Sequence, residues 1–143
     1  MTFVLDASVA LSWLLRDAGA REASYAFAVL KALRAGGVAA SVPSIWGLEI
    51  ANVIARAERM EQITEAQSES FLEMLQAIQL EADSATFAQA LTDTLQLARR
   101  YRLSSYDASY LELALRSSLP LATFDEALRR AAQKAGVRSF RAS

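Results

Sequence analysis

Short apolar segments alternate with longer segments of helical periodicity along this chain, and this alternation limits its possible folds more than any other feature. Strands that alternate with helices favour a parallel sheet that helices cover on both faces. We therefore predict an α/β fold. With 143 residues, the chain is expected to form one domain, residues 1–143.

The apolar pattern and the turn residues predict where the elements lie. Gly36 and Gly37 end the second helix, Ser44 is the expected N-cap of the third, and Thr64 with Gln67 has the capping-box pattern that opens the fourth. The predicted strands are Thr2–Asp6, Val38–Val42, Ile78–Glu81, Leu119–Phe124 and Val137–Phe140. The predicted helices are about 7–16, 20–34, 44–60, 64–77, 84–101, 105–118 and 125–135.

Two residue types are missing, and their absence excludes several kinds of chemistry. The chain has no cysteine, which excludes disulfides, thiol catalysis and thiolate metal sites. It has no histidine, which excludes a Ser-His-Asp triad and a histidine-based zinc site. If the protein is an enzyme, carboxylates are the expected reactive groups, and hard cations such as Mg²⁺ or Mn²⁺ are their natural partners.

Four acidic residues lie near the ends of predicted strands, where parallel sheets form their sites. Asp6 ends the first strand, and Asp125 directly follows the strand that contains Thr123. Glu49 lies in the second turn of the helix after the second strand. Asp107 lies in the first turn of the helix that precedes the fourth strand.

Each acid also has a purely structural interpretation. Asp6 and Asp125 could be helix N-caps, a position that Asp favours. Asp107 completes a capping-box pattern with Ser104. Glu49 could be neutralised by a structural arginine.

The spacing of neighbouring apolar residues nevertheless argues that two of the acids face inward. Glu49 shares a helical face with Ile45 and Val53, and Asp107 shares one with Leu103 and other apolar residues. Four carboxylates at one edge of a sheet would repel one another. Helix dipoles offset only about 0.3–1 kcal/mol each at exposed positions, whereas a divalent cation offsets far more. We therefore predict a metal site.

Taken together, these residues resemble the pattern of PIN-domain nucleases, and especially the VapC-type toxins of bacterial toxin–antitoxin pairs. The resemblance implies a three-layer α/β/α sandwich and an endoribonuclease that depends on Mg²⁺ or Mn²⁺ and hydrolyses RNA phosphodiesters. It also implies that Asp6, Glu49, Asp107 and Asp125 are the acidic quartet, with Asp6 and Asp107 the best candidates for direct metal ligands. Ser8, Asn52 and Thr123 match positions that line or support the site. The matching segments are Val4–Ser8, Val42–Asn52, Leu103–Ala114, Leu121–Asp125 and Glu126–Val137.

The resemblance further implies a cognate antitoxin and a homodimer. The first two predicted helices, with Trp13, Tyr25 and Phe27, could leave an apolar groove for a helix of the partner, although ordinary core packing explains the same aromatics. Two basic clusters are candidates for contacts with the RNA backbone or are simply solvated helix faces. They are Arg99, Arg100 and Arg102, and Arg129, Arg130 and Lys134.

Two other functions are compatible with parts of the pattern. A metal-dependent phosphatase with an aspartate nucleophile also has Asp after its first strand, but typically has a second Asp where this chain has Ser8. A non-catalytic α/β interaction module would leave the inward-facing acids unexplained, and the chain has no glycine-rich phosphate loop. No signal peptide or membrane span is evident, so the expected location is the cytoplasm.

Overall fold

The computed structural model describes residues 1–16 and 18–142 of the chain. In that part, short strands alternate with helices in the predicted order. The strands are β1 (Thr2–Leu5), β2 (Ala39–Val42), β3 (Leu80–Ala82) and β4 (Leu121–Ala122). The helices are α1 (Ala7–Leu15), α2 (Ala20–Ala35), α3 (Trp46–Arg59), α4 (Glu65–Gln76), α5 (Thr86–Gln89), a π-helical turn (Ala90–Thr94), α6 (Leu95–Tyr101), α7 (Ser105–Ser117) and α8 (Glu126–Ala135).

The strands form one parallel sheet in the order β3-β2-β1-β4. Strands β2 and β3 extend the sheet from one edge of β1, whereas β4 pairs with the other edge. Following the chain, β2 and β3 are added on one side of β1 and β4 on the opposite side, so the strand order reverses at β1. In open parallel sheets, ligand sites form outside the carboxyl ends of the strands at such a reversal. The segments that follow β1 and β4 are thus placed to form a site.

Strand β1 lies in the core of the molecule, and Phe3, Val4 and Leu5 in it are fully buried. Helix α7 packs against both β1 and β4, and its Tyr110 is fully buried. The ring of Phe140 stacks on that of Phe3 with centroids 3.8 Å apart, which holds the C-terminal segment against the first strand. The two ends of the chain therefore share one core.

The predicted α/β architecture, a central parallel sheet flanked by helices, is confirmed. The capping box that opens α4 is also present: Thr64 Oγ1 accepts a hydrogen bond from the Gln67 N–H, and Gln67 Oε1 accepts one from the Thr64 N–H. Gly36 ends α2 with φ near 83°, a backbone conformation that glycine adopts without strain. Within residues 1–16 and 18–142, no helix combines the length and apolarity needed to cross a membrane.

The prediction that Ser44 caps the third helix is wrong. Helix α3 begins at Trp46, and Ile45 occupies the N-cap position without a side-chain cap bond. The Ser44 N–H instead donates to Thr86 Oγ1 at 3.0 Å, which ties the start of α3 to the start of α5. Because α3 begins later than predicted, Glu49 lies in its first turn and not in its second.

Two further predictions need correction. Val137–Phe140 is not a regular strand, since only Ser139 forms a β-bridge, with Leu121 of the very short β4. The helix predicted over 84–101 begins at Thr86 and is interrupted by the π-helical turn. A π turn holds one more residue than an α turn, and a periodicity of 3.6 residues does not reveal it.

Candidate active site

Asp6 lies at the carboxyl end of β1 and is only 5% exposed. Its Oδ2 accepts hydrogen bonds from Ser8 Oγ at 2.7 Å and from Thr123 Oγ1 at 2.6 Å. Each hydroxyl in turn accepts a backbone N–H, Ser8 from Phe124 and Thr123 from Asp125. Because a backbone donor occupies an acceptor site on each hydroxyl, the hydroxyl protons are directed at Asp6, where they stabilise a negative charge.

Glu49 reaches the same region from the first turn of α3 and is half-buried. Its Oε1 accepts a hydrogen bond of 2.5 Å from the hydroxyl of Tyr110, a residue on α7 that is fully buried. This hydrogen bond joins two helices that follow different strands. It places Glu49 close enough to Asp6 and Asp107 for the three charges to interact.

Asp107 and Asp125 stand at the N-terminal ends of α7 and α8. The backbone N–H of Asp107 donates to Ser104 Oγ at 3.1 Å, so the predicted cap by Ser104 is present. Asp125 is the N-cap of α8, and its Oδ1 accepts the Leu128 N–H at 2.8 Å. The structural interpretation of Asp125 as a helix cap is therefore correct. It does not exclude a second role, because a carboxylate has another oxygen.

Burial and neighbouring negative charges raise the pKa values of Asp107, Asp6 and Glu49. Burial and repulsion by Asp125 and Asp6 raise the pKa of Asp107 to about 6. Burial raises the pKa of Asp6, with repulsion by Asp125 adding to it and the hydroxyls of Thr123 and Ser8 opposing it. Burial likewise raises the pKa of Glu49, helped by repulsion from Asp6 and Asp107 and opposed by the Tyr110 hydroxyl. Three acids thus carry their charges at an energetic cost.

The donor set is made of oxygen atoms, as hard divalent cations require. In the described residues, the second oxygens of Glu49 and Asp125 accept no hydrogen bond from the chain. No group of three or more carboxylates in residues 1–16 and 18–142 is arranged to hold an ion together. Mg²⁺, however, usually binds through one or two carboxylates and keeps several waters. The chemistry of the donors therefore fits Mg²⁺ or Mn²⁺, although the four acids do not form a ready-made cage.

The structure brings together most of the residues predicted for this site. Ser8 and Thr123, which the family resemblance implies line or support the site, both donate hydrogen bonds to Asp6. Asn52 does not join them: it is exposed on α3 and forms no side-chain hydrogen bond in the described part of the chain. Tyr110, which none of the sequence patterns above singles out, also belongs to the site, because its hydroxyl donates to Glu49.

Both basic clusters make contacts of their own on the surface. Arg129 forms an ion pair with Glu126 in the first turn of α8, and Arg130 Nε lies 4.0 Å from the same carboxylate. In the other cluster, the guanidinium of Arg100 lies over the ring of Tyr101, 5.6 Å from its centroid. Exposed ion pairs such as those of Glu126 contribute about 0–1 kcal/mol to the free energy of unfolding. The arginines can therefore leave them for other contacts at little cost.

An apolar groove of about 500 Å³ lies between α1 and α2. Trp13, Phe27 and Leu30 line it, and the Trp13 indole N–H donates to the Ala26 carbonyl at 2.8 Å, which fixes α1 on α2. Tyr25, which we expected in this groove, lies elsewhere, with its hydroxyl bonded to the Phe140 carbonyl. Further lining residues are Ala23, Met74 and the exposed cations Arg16 and Arg34.

Comparisons with known proteins agree with this architecture. The sequence profile of the family described as "PIN domain" matches residues 3–134. The fold is similar to that of PAE2754 from Pyrobaculum aerophilum, known from its crystal structure, with a TM-score of 0.65 and 21% sequence identity. The similarity covers 92% of this chain and 87% of that one. No curated protein matches the sequence.

Proposed function

The chain belongs to the PIN domain family, whose members are typically metal-dependent nucleases, and from this premise we propose that it is an endoribonuclease that uses Mg²⁺ or Mn²⁺. The observation that carries the proposal is the repulsion among acids near the strand reversal. Asp125 repels Asp6 and Asp107, and Asp6 and Asp107 repel Glu49. Bringing like charges together costs stability, and a divalent cation is the partner that best offsets this cost.

Each residue has a proposed role. Asp6 and Asp107 would hold the metal ion directly, and Glu49 and Asp125 would complete the site. Ser8 and Thr123 orient the Asp6 carboxylate through their hydroxyl groups. When bound, a divalent ion would lower the pKa of a water molecule and stabilise charge on the phosphoryl group. Since the chain contains no histidine, a carboxylate is the protein group expected to accept the water proton.

The direct test is cleavage of RNA by the purified chain. We expect cleavage of total RNA in Mn²⁺ or Mg²⁺, and its loss on adding a chelator, because the carboxylates alone cannot offset charge at the phosphoryl group. Products are read on a denaturing gel. A simple aromatic phosphomonoester serves as a second substrate, since a phosphatase would hydrolyse it faster than RNA. Metal binding without RNA cleavage would contradict the proposal.

We propose further that the protein is the toxin of a toxin–antitoxin pair. The groove between α1 and α2 supports this, because it presents apolar side chains between two exposed arginines, Arg16 and Arg34. An amphipathic helix whose apolar stripe is flanked by acidic residues is complementary to such a surface. The antitoxin is therefore expected to insert a helix of that kind into the groove and to suppress cleavage.

The groove can be tested with two matched variants. Phe27 is 65% exposed in the groove, and Phe87, on α5, is 89% exposed outside it. We expect Phe27→Asp to retain RNA cleavage but to escape inhibition by the purified antitoxin, because a buried aspartate would lack a partner. Phe87→Asp, which makes the same chemical change elsewhere, should remain inhibited. Equal inhibition of both variants would contradict a role for the groove.

A homodimer in the cytoplasm is part of the same proposal and follows from the family resemblance. Sedimentation equilibrium of the purified chain measures its oligomeric state. A species that stays at 15.6 kDa throughout the accessible concentration range would remove the dimer from the proposal and leave the nuclease unaffected.

A further inference from the structure

Tyr110 has a hydroxyl group whose presence core packing does not explain. The side chain is fully buried on α7, the helix that packs against β1 and β4. A phenylalanine would fill nearly the same space without bringing a polar group into the core, where an unpaired hydroxyl is costly. The hydroxyl therefore needs a partner, and that partner is Glu49 Oε1, 2.5 Å away and 61 positions earlier in the chain.

Glu49 depends on this hydrogen bond for its orientation. Within residues 1–16 and 18–142, Tyr110 is the only side chain that donates to its carboxylate. The negative charges of Asp6 and Asp107 act on Glu49 in the opposite sense, since they repel it. A flexible glutamate that is half exposed and repelled by its neighbours would otherwise turn toward water, where its charge is better solvated. Tyr110 holds one oxygen and leaves Oε2 available.

The position of Tyr110 on α7 links it to a second acid. Asp107 lies three residues earlier, so the two side chains share one helical face. Helix α7 thus carries one acid of the site directly and, through the tyrosine hydroxyl, fixes another acid that comes from α3. Both acids are therefore attached to α7, Asp107 covalently and Glu49 through a hydrogen bond.

From this arrangement we propose that Tyr110 is a positioning residue that holds Glu49 in the orientation in which its second oxygen faces the metal site. The inference rests on the proposed function, because it assigns a partner to one of the four acids. Groups that orient metal ligands typically change metal affinity or activity 10- to 100-fold when they are removed. Tyr110 makes no contact with the metal in this proposal and acts only through Glu49.

The test compares Tyr110→Phe with the parent protein. We expect Mn²⁺ to bind roughly 10-fold more weakly to the variant by calorimetry. RNA cleavage should fall by a similar factor at limiting Mn²⁺ and recover at saturating Mn²⁺, because the ligand is still present but poorly oriented. The thermal unfolding midpoint and the circular dichroism spectrum show whether the variant is folded. An unchanged Mn²⁺ affinity in a folded variant would overturn the proposal.

A double-mutant cycle with Glu49→Gln separates positioning from general weakening of the core. If Tyr110 acts through Glu49, adding Tyr110→Phe to Glu49→Gln should change Mn²⁺ affinity less than twofold. An additive loss in a folded double variant would mean that Tyr110 acts by another route and would overturn the proposal. Tyr25→Phe is the matched control, since it also removes one tyrosine hydrogen bond, of 2.7 Å to a backbone carbonyl. It should bind Mn²⁺ as the parent does.

The failure of this proposal can be distinguished from failure of the proposed function. If Mn²⁺ binds the parent and RNA is cut, but Tyr110→Phe behaves as the parent does, only the role of Tyr110 is wrong. If the parent does not bind Mn²⁺, the metal-dependent function is wrong, and the positioning role fails with it.

Discussion

Replacing Asp6 with Asn is expected to lower the rate of RNA cleavage in Mn²⁺ at least about 100-fold while the protein remains folded. Charge that stabilises a phosphoryl group through a metal ion contributes several kcal/mol, and each 1.36 kcal/mol corresponds to a factor of ten in rate. Asn keeps the shape of Asp and an oxygen that can accept from Ser8 and Thr123, so the loss reports the missing charge. Initial rates on a defined RNA measure it.

The matched control is Asp93→Asn, which removes a carboxylate from an exposed position in the π-helical turn. It should cleave RNA within about twofold of the parent, since surface charges contribute little when screened by salt. Calorimetry with Mn²⁺ should show weaker binding for Asp6→Asn and unchanged binding for Asp93→Asn. If Asp6→Asn cuts RNA as fast as the parent, Asp6 is a structural residue and the assignment of the site is wrong.

Asp107→Asn is expected to stabilise the metal-free protein at pH 8 and to leave its stability near pH 4 almost unchanged. The pKa of Asp107 is raised to about 6, so the folded state binds its proton more tightly than the unfolded state does. Protonation therefore favours folding, and this contribution disappears as the pH rises from about 4 through about 6. Because Asp107 is partly exposed, solvent screening reduces the effect. We expect the free energy of unfolding of Asp107→Asn at pH 8 to exceed that of the parent by on the order of 1–2 kcal/mol, or roughly 3–7 °C in Tm.

Urea unfolding between pH 4 and pH 8 in a chelator measures this dependence, with Asp93→Asn again as the control. Mn²⁺ should raise the Tm of the parent at pH 8 more than that of Asp107→Asn, because the ion relieves a repulsion that the variant no longer has. A stability difference that is the same at every pH would mean that the charge of Asp107 is not its source.

The sequence was sufficient to predict the main course of the chain. Helices with strong periodicity and clear end signals, such as the Thr64 capping box, lie within one or two residues of their predicted bounds. Weak pairing is harder to foresee: Val137–Phe140 has the composition of a strand, yet only one bridge, at Ser139, forms beside β4. Whether a short apolar segment pairs depends on the length of its neighbour, and β4 has only two residues.

The candidate site could likewise be predicted only in part. Asp6, Ser8 and Thr123 follow strand ends, and topology brings strand ends together, so sequence reasoning could predict their contact. Spacing along one helix indicates which residues share a face, but not which residue of another helix they contact. Tyr110 is buried in the core, as the apolar face it shares with Asp107 suggests, but its hydrogen bond to Glu49 on another helix is not visible in the spacing. Asn52, three residues after Glu49, is exposed.

The hydrogen bond from Thr123 to Asp6 joins residues that lie 117 positions apart. During synthesis, Asp6 therefore emerges long before Thr123, whose hydroxyl donates to its carboxylate. Helix α7 and strand β4 must also fold before the four acids can come together. Since the ribosome releases the chain from its N-terminus, an incomplete polypeptide holds Asp6 without Thr123 or Asp107. The candidate site is therefore incomplete in every nascent polypeptide that ends before Thr123 and Asp125, and such a polypeptide would lack the proposed activity.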